Sequence, residues 1–431
     1  MQGWNREMRT LVSEVSSKVG EKVTVCGWVH RIRDLGGVSF VLLRDRSGSA
    51  QMVFTAKPEV TLESVVQIEG TVAANEKAPG GIEVRAEKLT VLSPAAVDLP
   101  FPVNQDPTKT SLESILDNRM ISLRAPAILS IFRVQSTILR CFAEYLRGEG
   151  FTEIKTSKLI GTGTEGGAGL FSVDYFDTKV YLSQSPQTYK QAMVAAGLER
   201  VFEIGPAYRA EKHDTPRHIN EFVSLDVEIA FIESEQDLMD LETRILAAIF
   251  EGVRKDNARD VEAWKATVPD PALCARIPRI SHDEAKEIVG KETGKKVYEI
   301  APEGERVLCD WAANTAGIEA VFVYAYPRKS RPYYTYPADN NKTKSFDLLF
   351  RGLEITSGSV RINTYDMLLE NLKAFDLNPE GFSDYLSVFK YGCPPHGGFA
   401  IGMERITQKL LGLTSVKEAT LFPRDRKRIR P

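Results

Sequence analysis

The sequence contains few cysteines and lacks the spacings that cysteine chemistry requires. Five cysteines are scattered over 431 residues, an odd number without any C-x-x-C pair. This distribution argues against a disulfide framework and against a cysteine-ligated zinc site. It is typical of proteins that keep their thiols reduced, and we therefore expect a cytoplasmic location.

Long apolar runs and an excess of charge of one sign are also lacking. No stretch approaches the roughly 20 apolar residues that span a bilayer. The first ten residues, MQGWNREMRT, contain no apolar segment of the secretory kind. The net charge is −3, so bulk charge does not indicate a nucleic-acid partner. Any RNA site must therefore be a local basic patch.

What the chain does have is the composition of an ordinary globular protein. Hydrophobic residues make up 43% and charged residues 26% of the sequence. A chain of 431 residues is long enough to bury a large core and to form two or three domains.

Residues 22–92 read as a series of short strands separated by glycine-containing turns. This spacing predicts a small β-barrel. Arg31, Arg33, Arg44 and Arg46 form a local basic patch, and Phe40 lies between them on a strand. Cations and an exposed ring suit single-stranded bases. On these residues alone, solvated strand arginines and a core phenylalanine are the more common arrangement.

A proline-rich stretch of low periodicity, residues 93–110, follows the predicted barrel. Such composition indicates a linker between domains. We therefore predict a first domain over residues 1–95, a linker over 96–119 and a second domain over 120–431. The second domain begins with a helix over 127–148, whose apolar residues recur at three- and four-residue steps.

Residues 202–231 predict two antiparallel strands joined by a connection of about ten residues. The alternation places Arg209 and Glu211 on one face of the first strand. Ser224, Asp226 and Glu228 share one face of the second. The connection is rich in basic and histidine residues, so the face suits a polyanion with a flat aromatic part. A solvated hairpin with incidental ion pairs is the ordinary alternative.

Two later segments favour the functional interpretation. Residues 346–362 contain an E-x-x-S-G-x-x-R sequence, and residues 392–405 read as a glycine-rich turn that enters a helix near Met403. Together with the R-x-E of the hairpin, this ordered set resembles motifs 2 and 3 of class II aminoacyl-tRNA synthetases. Over nearly the whole chain, the sequence resembles the aspartyl-tRNA synthetases of the archaeal type.

The resemblance implies an α+β fold and a homodimer. Its N-terminal domain would be an OB-fold barrel that binds the anticodon. Its catalytic domain would be built on a largely antiparallel sheet flanked by helices. The helix over 127–148 resembles motif 1, through which class II enzymes dimerise.

The resemblance also implies that ATP and Mg²⁺ are used. Arg209, Glu211 and Arg405 take catalytic positions, with Arg209 on the α-phosphate. The residues implied for ATP are Arg209, Glu211, Arg217, His218, Phe222, Glu354 and Arg405. Asp347, Glu354 and Ser357 offer hard oxygen ligands, which suit a magnesium ion shared with ATP.

The amino acid pocket implied by the resemblance contains two cations. Its residues are Glu165, Gln187, Lys190, Asp226 and Arg361, with Glu165 near the α-amino group and Asp226 orienting Lys190. A side-chain carboxylate in a closed pocket needs cationic partners, whereas a neutral amide would leave two charges unpaired. We therefore expect L-aspartate to be the substrate.

The barrel residues implied to contact the anticodon are His30, Arg31, Phe40, Gln51 and Pro79. Within the resembled family, His30 and Pro79 match the form that charges the asparagine tRNA as well as the aspartate tRNA. This implies tRNA(Asp), and also tRNA(Asn), as partners. A tRNA-dependent amidotransferase would then act on the mischarged product.

Other functions remain open from sequence. An asparaginyl-tRNA synthetase, or an asparagine synthetase of the same fold, is disfavoured by Lys190 and by the predicted barrel. A non-catalytic RNA-binding paralogue is disfavoured because Arg209, Glu354 and Arg405 are all present. An unrelated OB-fold protein is the last alternative.

Overall fold

The computed structural model describes residues 9–163 and 169–431. The chain divides into two compact units, Met1–Pro126 and Ala127–Pro431. This division lies close to the predicted limit at residue 120. The finer limits of 1–95, 96–119 and 120–431 stay a prediction.

Five strands of the first unit close into a barrel with the order β1-β2-β3-β5-β4. They are β1 (Lys22–Asp34), β2 (Ser39–Asp45), β3 (Gly48–Phe54), β4 (Val65–Ala74) and β5 (Ile82–Ser93). Neighbouring strands are antiparallel, except that β3 and β5 are parallel. This closed five-stranded barrel confirms the predicted OB-fold.

The barrel closes because its strands alternate apolar and polar residues. Along β4 every second residue from Val66 to Val72 is buried, and Val25, Val41 and Met52 fill the same interior. The remaining elements of this unit are short: 3₁₀ helices Val12–Ser17, Pro79–Gly81 and Pro107–Lys109, and helices α1 (Leu112–Asp117) and α2 (Arg119–Ser122).

The second unit is built on a mixed sheet of eight strands. Its order is β12-β13-β16-β17-β18-β11-β10-β6, and only the pairs β12–β13 and β6–β10 are parallel among the described residues. The strands of this sheet are β6 (Thr152–Glu153), β10 (Arg200–Tyr208), β11 (Glu221–Ala230), β12 (Arg279–Ser281), β13 (Ala320–Tyr324), β16 (Ser345–Phe350), β17 (Leu353–Val360) and β18 (His396–Gly402). The small sheets are formed by β7 (Leu159–Ile160), β8 (Ser172–Tyr175) and β9 (Thr178–Leu182), and by β14 (Pro337–Ala338) and β15 (Lys342–Thr343).

Helices flank this sheet, as expected. They are α3 (Pro126–Gly148), α4 (Gln187–Met193), α5 (Glu235–Asp256), α6 (Ala258–Glu262), α7 (His282–Thr293), α8 (Pro302–Ala316), α9 (Tyr365–Ala374), α10 (Ser383–Lys390) and α11 (Met403–Leu411). Single helical turns occur at Val194–Leu198, Pro271–Arg276, Arg328–Ser330 and Pro379–Phe382. No helix in the described ranges is long and apolar enough to cross a membrane.

The main core of the second unit lies where α3 and α5 pack against the sheet. The periodic apolar residues of α3, including Ile131, Ile138 and Phe142, are buried there. Helix α5 begins with a capping box, in which Ser234 Oγ accepts from Gln236 N at 3.2 Å and Asp237 accepts from Ser234 N at 3.0 Å.

Two local predictions were wrong. Strand β10 ends at Tyr208, so Arg209 and Glu211 follow the strand instead of sharing its face. Residues 396–402 form strand β18, whereas the glycines had predicted a turn. Within residues 255–340, the elements α7, α8, β12 and β13 surround a second core.

Candidate active site

A cavity of about 380 Å³ opens on the three central strands β11, β17 and β18. The loop after β10, the start of α4 and residues 330–335 complete its wall. Basic, acidic and aromatic side chains all reach this cavity. It therefore suits a ligand that has charges of both signs.

Strand register explains why the polar side chains of the cavity floor converge. Ala400 on β18 pairs with Asp226 on one side and with Ser357 on the other. Two residues along β18, Gly398 pairs with Glu228 and with Ser359. Opposed residues in an antiparallel sheet point to the same face. The small residues of β18 thus leave room for the carboxylates of β11.

Lys190 reaches this floor from α4 and is 2% exposed. Its Nζ lies 3.0 Å from Asp226 Oδ1 and 3.2 Å from Glu228 Oε2, and it donates to Val227 O at 3.3 Å. Two carboxylates and a backbone carbonyl thus surround the buried ammonium, and ion pairs of this kind offset the cost of removing it from water.

Arg361 approaches the same carboxylate from the end of β17. Its Nε donates to Glu228 Oε1 at 2.9 Å, and a terminal nitrogen lies 3.3 Å from Oε2. The other terminal nitrogen donates to Ser359 Oγ at 2.5 Å. The predicted residues Lys190, Asp226 and Arg361 are therefore brought together around Glu228.

Glu228 is the functional residue of this cluster that the sequence prediction missed. Its side chain is fully buried, and burial alone would raise its pKa. Arg361 and Lys190 outweigh burial and hold the pKa of Glu228 below its ordinary value, so the carboxylate stays ionised. The available signal was its place two residues after Asp226, on the same strand face.

Four polar atoms of residues in the cavity wall are buried without a hydrogen-bond partner in the described part of the chain. They are the donors Gln187 Nε2, Arg209 Nε and Arg331 Nε and the acceptor Asp226 Oδ2. Buried polar groups are normally paired, so unpaired ones that face a cavity indicate a bound ligand. Of these, the donors Gln187 Nε2 and Arg209 Nε and the acceptor Asp226 Oδ2 match an amino acid, whose carboxylate accepts and whose ammonium donates. The predicted Glu165 lies outside the described residues.

The other half of the cavity contains the residues predicted for ATP. Arg209 lies with its Cζ 5.4 Å from the centre of the Phe222 ring. Arg217 pairs with Glu305, and His218 Nδ1 is 2.7 Å from Thr215 Oγ1. Burial, followed by the charge of nearby Arg405, lowers the pKa of His218. This histidine is therefore neutral at pH 7.

Glu211 and Arg405 complete the cavity wall on this side. Arg405 donates to the carbonyl of Glu354 at 2.9 Å and to its Oε1 at 3.3 Å. Burial and the charge of neighbouring Asp347 raise the pKa of Glu354. A carboxylate with a raised pKa gains from an added cation, which fits a metal ligand.

The three predicted magnesium ligands are neighbours, but two of them, Asp347 and Ser357, already accept hydrogen bonds from Arg331. Asp347 pairs with Ser357 across β16 and β17. Both carboxylate oxygens of Asp347 accept from Arg331, at 2.8 and 2.6 Å. Glu354 and Ser357 line the cavity, whereas Asp347 is absent from the described wall. Within residues 9–163 and 169–431 no group of three or more His, Cys, Asp or Glu could hold a metal. The donor set therefore fits an ion that takes further ligands from a nucleotide.

The barrel residues predicted for the anticodon fall into two environments. Arg31 and Gln51 both pair with Leu42, and Phe40 pairs with Arg33 one step away, so these side chains share a face. His30 lies at an irregularity of β1 and is 8% exposed.

The ring of His30 faces Glu63 inside the first unit, with its Nδ1 3.7 Å from Glu63 Oε1. Pro79 is exposed at the turn before β5. His30 is therefore less accessible than the sequence suggested.

Comparisons with known proteins agree with this geometry. The family described as tRNA synthetases class II (D, K and N) matches residues 111–426, and the OB-fold nucleic acid binding domain matches residues 23–92. The chain belongs to the class II tRNA synthetases. It is 47% identical over 425 residues to the aspartate–tRNA(Asp/Asn) ligase of Thermus thermophilus, covering 98% of this chain and 100% of that protein.

Other relatives have neighbouring specificities. This class II synthetase is 42% identical over 438 residues to the aspartate–tRNA(Asp) ligase of Pyrococcus abyssi, covering 97% and 98% of the two chains. Its structure is similar to that of asparaginyl-tRNA synthetase from Pyrococcus horikoshii complexed with asparaginyl-adenylate, with a TM-score of 0.91 and 32% identity. That similarity covers 98% of this chain and 99% of the other. The sequence identities place the chain with the aspartate–tRNA ligases.

Proposed function

We propose that this synthetase activates L-aspartate with ATP and transfers the aspartyl group to tRNA(Asp) and tRNA(Asn). The observation that supports this best is the pair of buried cations, Lys190 and Arg361, around Glu228 at the cavity floor. The nucleotide would occupy the side of the cavity that contains Arg209, Phe222 and Arg405. We also propose that the protein acts in the cytosol.

In the activation step an aspartate α-carboxylate oxygen attacks the α-phosphorus of ATP, and pyrophosphate leaves. Arg209 would neutralise charge on both the carboxylate and the α-phosphate, since its Nε is unpaired and buried at the cavity wall. Phe222 offers a face to adenine. Asp226 Oδ2 would accept from the substrate ammonium, so that the attacking carboxylate is fixed in direction.

Magnesium, when bound beside Glu354 and the phosphates, would supply charge neutralisation to the nucleotide. Glu211, Arg217, Arg405 and neutral His218 would hold the nucleotide around it. In the second step a terminal ribose hydroxyl of the tRNA attacks the acyl carbon, and AMP leaves. No protein base is needed in this account, because positioning and charge neutralisation supply the rate.

Discrimination against asparagine has a different cause from the one the sequence suggested. Lys190 and Arg361 are already paired with Asp226 and Glu228, so an amide would not leave two bare charges. Lysine and arginine can only donate hydrogen bonds. The side-chain carboxylate of aspartate can accept hydrogen bonds from both Lys190 and Arg361. The NH₂ group of asparagine is itself a donor, so it would face one of these cations without forming a hydrogen bond. This supports aspartate over the asparaginyl alternative.

The proposed charging of both tRNAs is supported by His30 and Pro79, which match the relaxed form of the family. The Thermus thermophilus relative is named for both tRNAs and the Pyrococcus abyssi relative for one. A tRNA-dependent amidotransferase would then convert the aspartyl-tRNA(Asn). We also propose a homodimer through α3 and its surroundings, as in motif 1 of class II enzymes.

Two assays with the purified full-length protein test this proposal. ATP–pyrophosphate exchange should require aspartate and should not proceed with asparagine. Charging with labelled aspartate should label transcripts of both tRNA(Asp) and tRNA(Asn). Exchange that depends on asparagine would overturn the amino acid assignment, and unlabelled tRNA(Asn) would restrict the tRNA range.

A further inference from the structure

Arg331 is a cation of the active-site cavity that lies outside the sequence motifs. It follows the helical turn Arg328–Ser330, in the connection between β13 and β14. Its side chain is only 9% exposed, yet it contributes to the cavity wall beside Glu354 and Ser357. The guanidinium lies 3.8 Å from the centre of the Tyr326 ring, which fixes its plane.

The contacts of Arg331 include two of the three predicted magnesium ligands. One terminal nitrogen donates to Asp347 Oδ1 at 2.8 Å and to Ser357 Oγ at 2.9 Å. The other donates to Asp347 Oδ2 at 2.6 Å. A forked pair of this kind is among the strongest charge-assisted interactions in proteins. Burial lowers the pKa of Arg331, but Asp347 outweighs burial and raises it above its ordinary value.

A divalent ion and this guanidinium would compete for the same place. Mg²⁺ binds oxygen ligands at about 2.0–2.1 Å in a nearly octahedral shell. An ion that bridged Asp347 and Ser357 directly would have to displace Arg331 from both of them. The displaced charge would then lie buried beside the ion, which is unfavourable.

We propose that Arg331 is a fixed cation of the ATP site, which occupies the position of a divalent ion at Asp347 and Ser357. It is a positioning residue: it holds Ser357 and supplies positive charge beside the nucleotide. The dissociable metal is thereby restricted to Glu354 and the phosphates. This inference rests on the proposed function for its ATP site.

A fixed cation changes how the enzyme depends on magnesium. The guanidinium is always charged and is covalently attached, so its occupancy does not vary with metal concentration. Its Nε is also buried without a hydrogen-bond partner among the described residues, so one donor of the guanidinium is still unused. The wild-type enzyme therefore needs one divalent ion fewer than an enzyme in which Asp347 is not paired with an arginine.

The test counts ions directly. Mn²⁺ binding is measured by electron paramagnetic resonance on the full-length protein with a non-hydrolysable ATP analogue. Arg331→Met is expected to bind one additional Mn²⁺ relative to wild type. Lys329→Met is the matched control, because Lys329 is exposed two residues away and the change removes the same charge. It should bind the wild-type number.

Magnesium dependence gives a second readout. At low Mg²⁺ the exchange rate of Arg331→Met should fall about 100-fold, the size seen when a donor to a transition-state charge is removed. The rate should recover partly as Mg²⁺ rises, with a steeper dependence than wild type. Arg331→Lys keeps the charge without the fork, so it should bind the additional Mn²⁺ more weakly than Arg331→Met.

Equal Mn²⁺ counts in wild type and in both Arg331 variants would overturn the proposal and leave Arg331 as a structural partner of Asp347. A Mn²⁺ ion bound at Asp347 in the wild-type enzyme would also overturn the proposal. The number of bound Mn²⁺ ions does not depend on which amino acid the enzyme activates. A failure of aspartate-dependent exchange would therefore overturn the proposed function without changing the Mn²⁺ result.

Discussion

Glu228 Oε2 lies 3.2 Å from Lys190 Nζ, and Glu228 Oε1 lies 2.9 Å from Arg361 Nε. One buried carboxylate thus holds two cations that come from different parts of the chain, helix α4 and the end of β17. The cations are pre-positioned before a substrate enters, so less ordering is needed on binding. The arrangement also keeps the cluster near neutrality, since Asp226 supplies a second negative charge.

We predict that Glu228→Gln abolishes aspartate activation. The amide has the same shape but cannot accept from both cations, so Lys190 and Arg361 lose their common partner. Removing one member of a buried ion pair costs about 3–5 kcal/mol. Pyrophosphate exchange and urea unfolding measure the two effects. Glu233→Gln, on an exposed residue nearby, should leave both unchanged. Normal exchange by the Glu228 variant would exclude Glu228 as the organiser of the cations.

We expect Lys190→Ala to lose aspartate-dependent exchange while its circular dichroism remains native. Without the ammonium, Asp226 and Glu228 face one remaining cation, and the local charge repels a substrate carboxylate. The control is Lys179→Ala, in which an exposed lysine of the same domain is removed. Near-normal exchange by Lys190→Ala would exclude the proposed aspartate pocket.

Periodic segments were predictable because their pattern alone determines them. The barrel strands alternate, α3 repeats at helical steps, and Ser234 with Asp237 marks the start of α5. The site residues Arg209, Asp226 and Arg361 were found through their motifs, and the structure brings them to one cavity.

Contacts across the fold were not predictable from periodicity. Alternation shows that Asp226 and Glu228 share a face, but the partners of Glu228 come from residues 190 and 361, far away in sequence. Arg331 was missed for the same reason, since only the tertiary fold brings it to Asp347. Gly398 was assigned to a turn because glycine usually ends strands, whereas here it makes room for a neighbour.

We predict that Gly398→Ala disables the site through packing alone. A Cβ at this position would lie 2.1 Å from Val227 O and 2.2 Å from Glu228 Oε2, well inside contact distance. The Glu228 carboxylate would have to leave its place between Lys190 and Arg361. Overpacking of this kind costs about 1–3 kcal/mol.

Exchange activity and thermal unfolding measure these effects of Gly398→Ala. Gly148→Ala is the matched control, because no atom lies within 4 Å of a Cβ added there. A fully active Gly398→Ala enzyme would show that Glu228 tolerates displacement.

The last prediction concerns stability against pH. Glu242, on α5, is fully buried, next to the hydroxyl of Thr356. Burial raises its pKa to about 8, helped by the charge of Asp347 and opposed by the Thr356 hydroxyl. The folded protein therefore holds this proton above the pH at which the unfolded chain releases it. Stability is greatest below the unfolded pKa and falls as the pH rises towards 8.

Glu242→Gln should remove this dependence, because the amide is neutral at every pH. Each pKa unit corresponds to about 1.4 kcal/mol. Between pH 5 and pH 7 the free energy of unfolding of Glu242→Gln should therefore rise by about 3 kcal/mol relative to that of wild type. Urea unfolding of both proteins across this range measures the difference, in which contributions from other groups cancel. Glu251→Gln, exposed on the same helix, should follow wild type. A constant difference between Glu242→Gln and wild type at all pH values would mean that Glu242 titrates alike in the folded and unfolded chain.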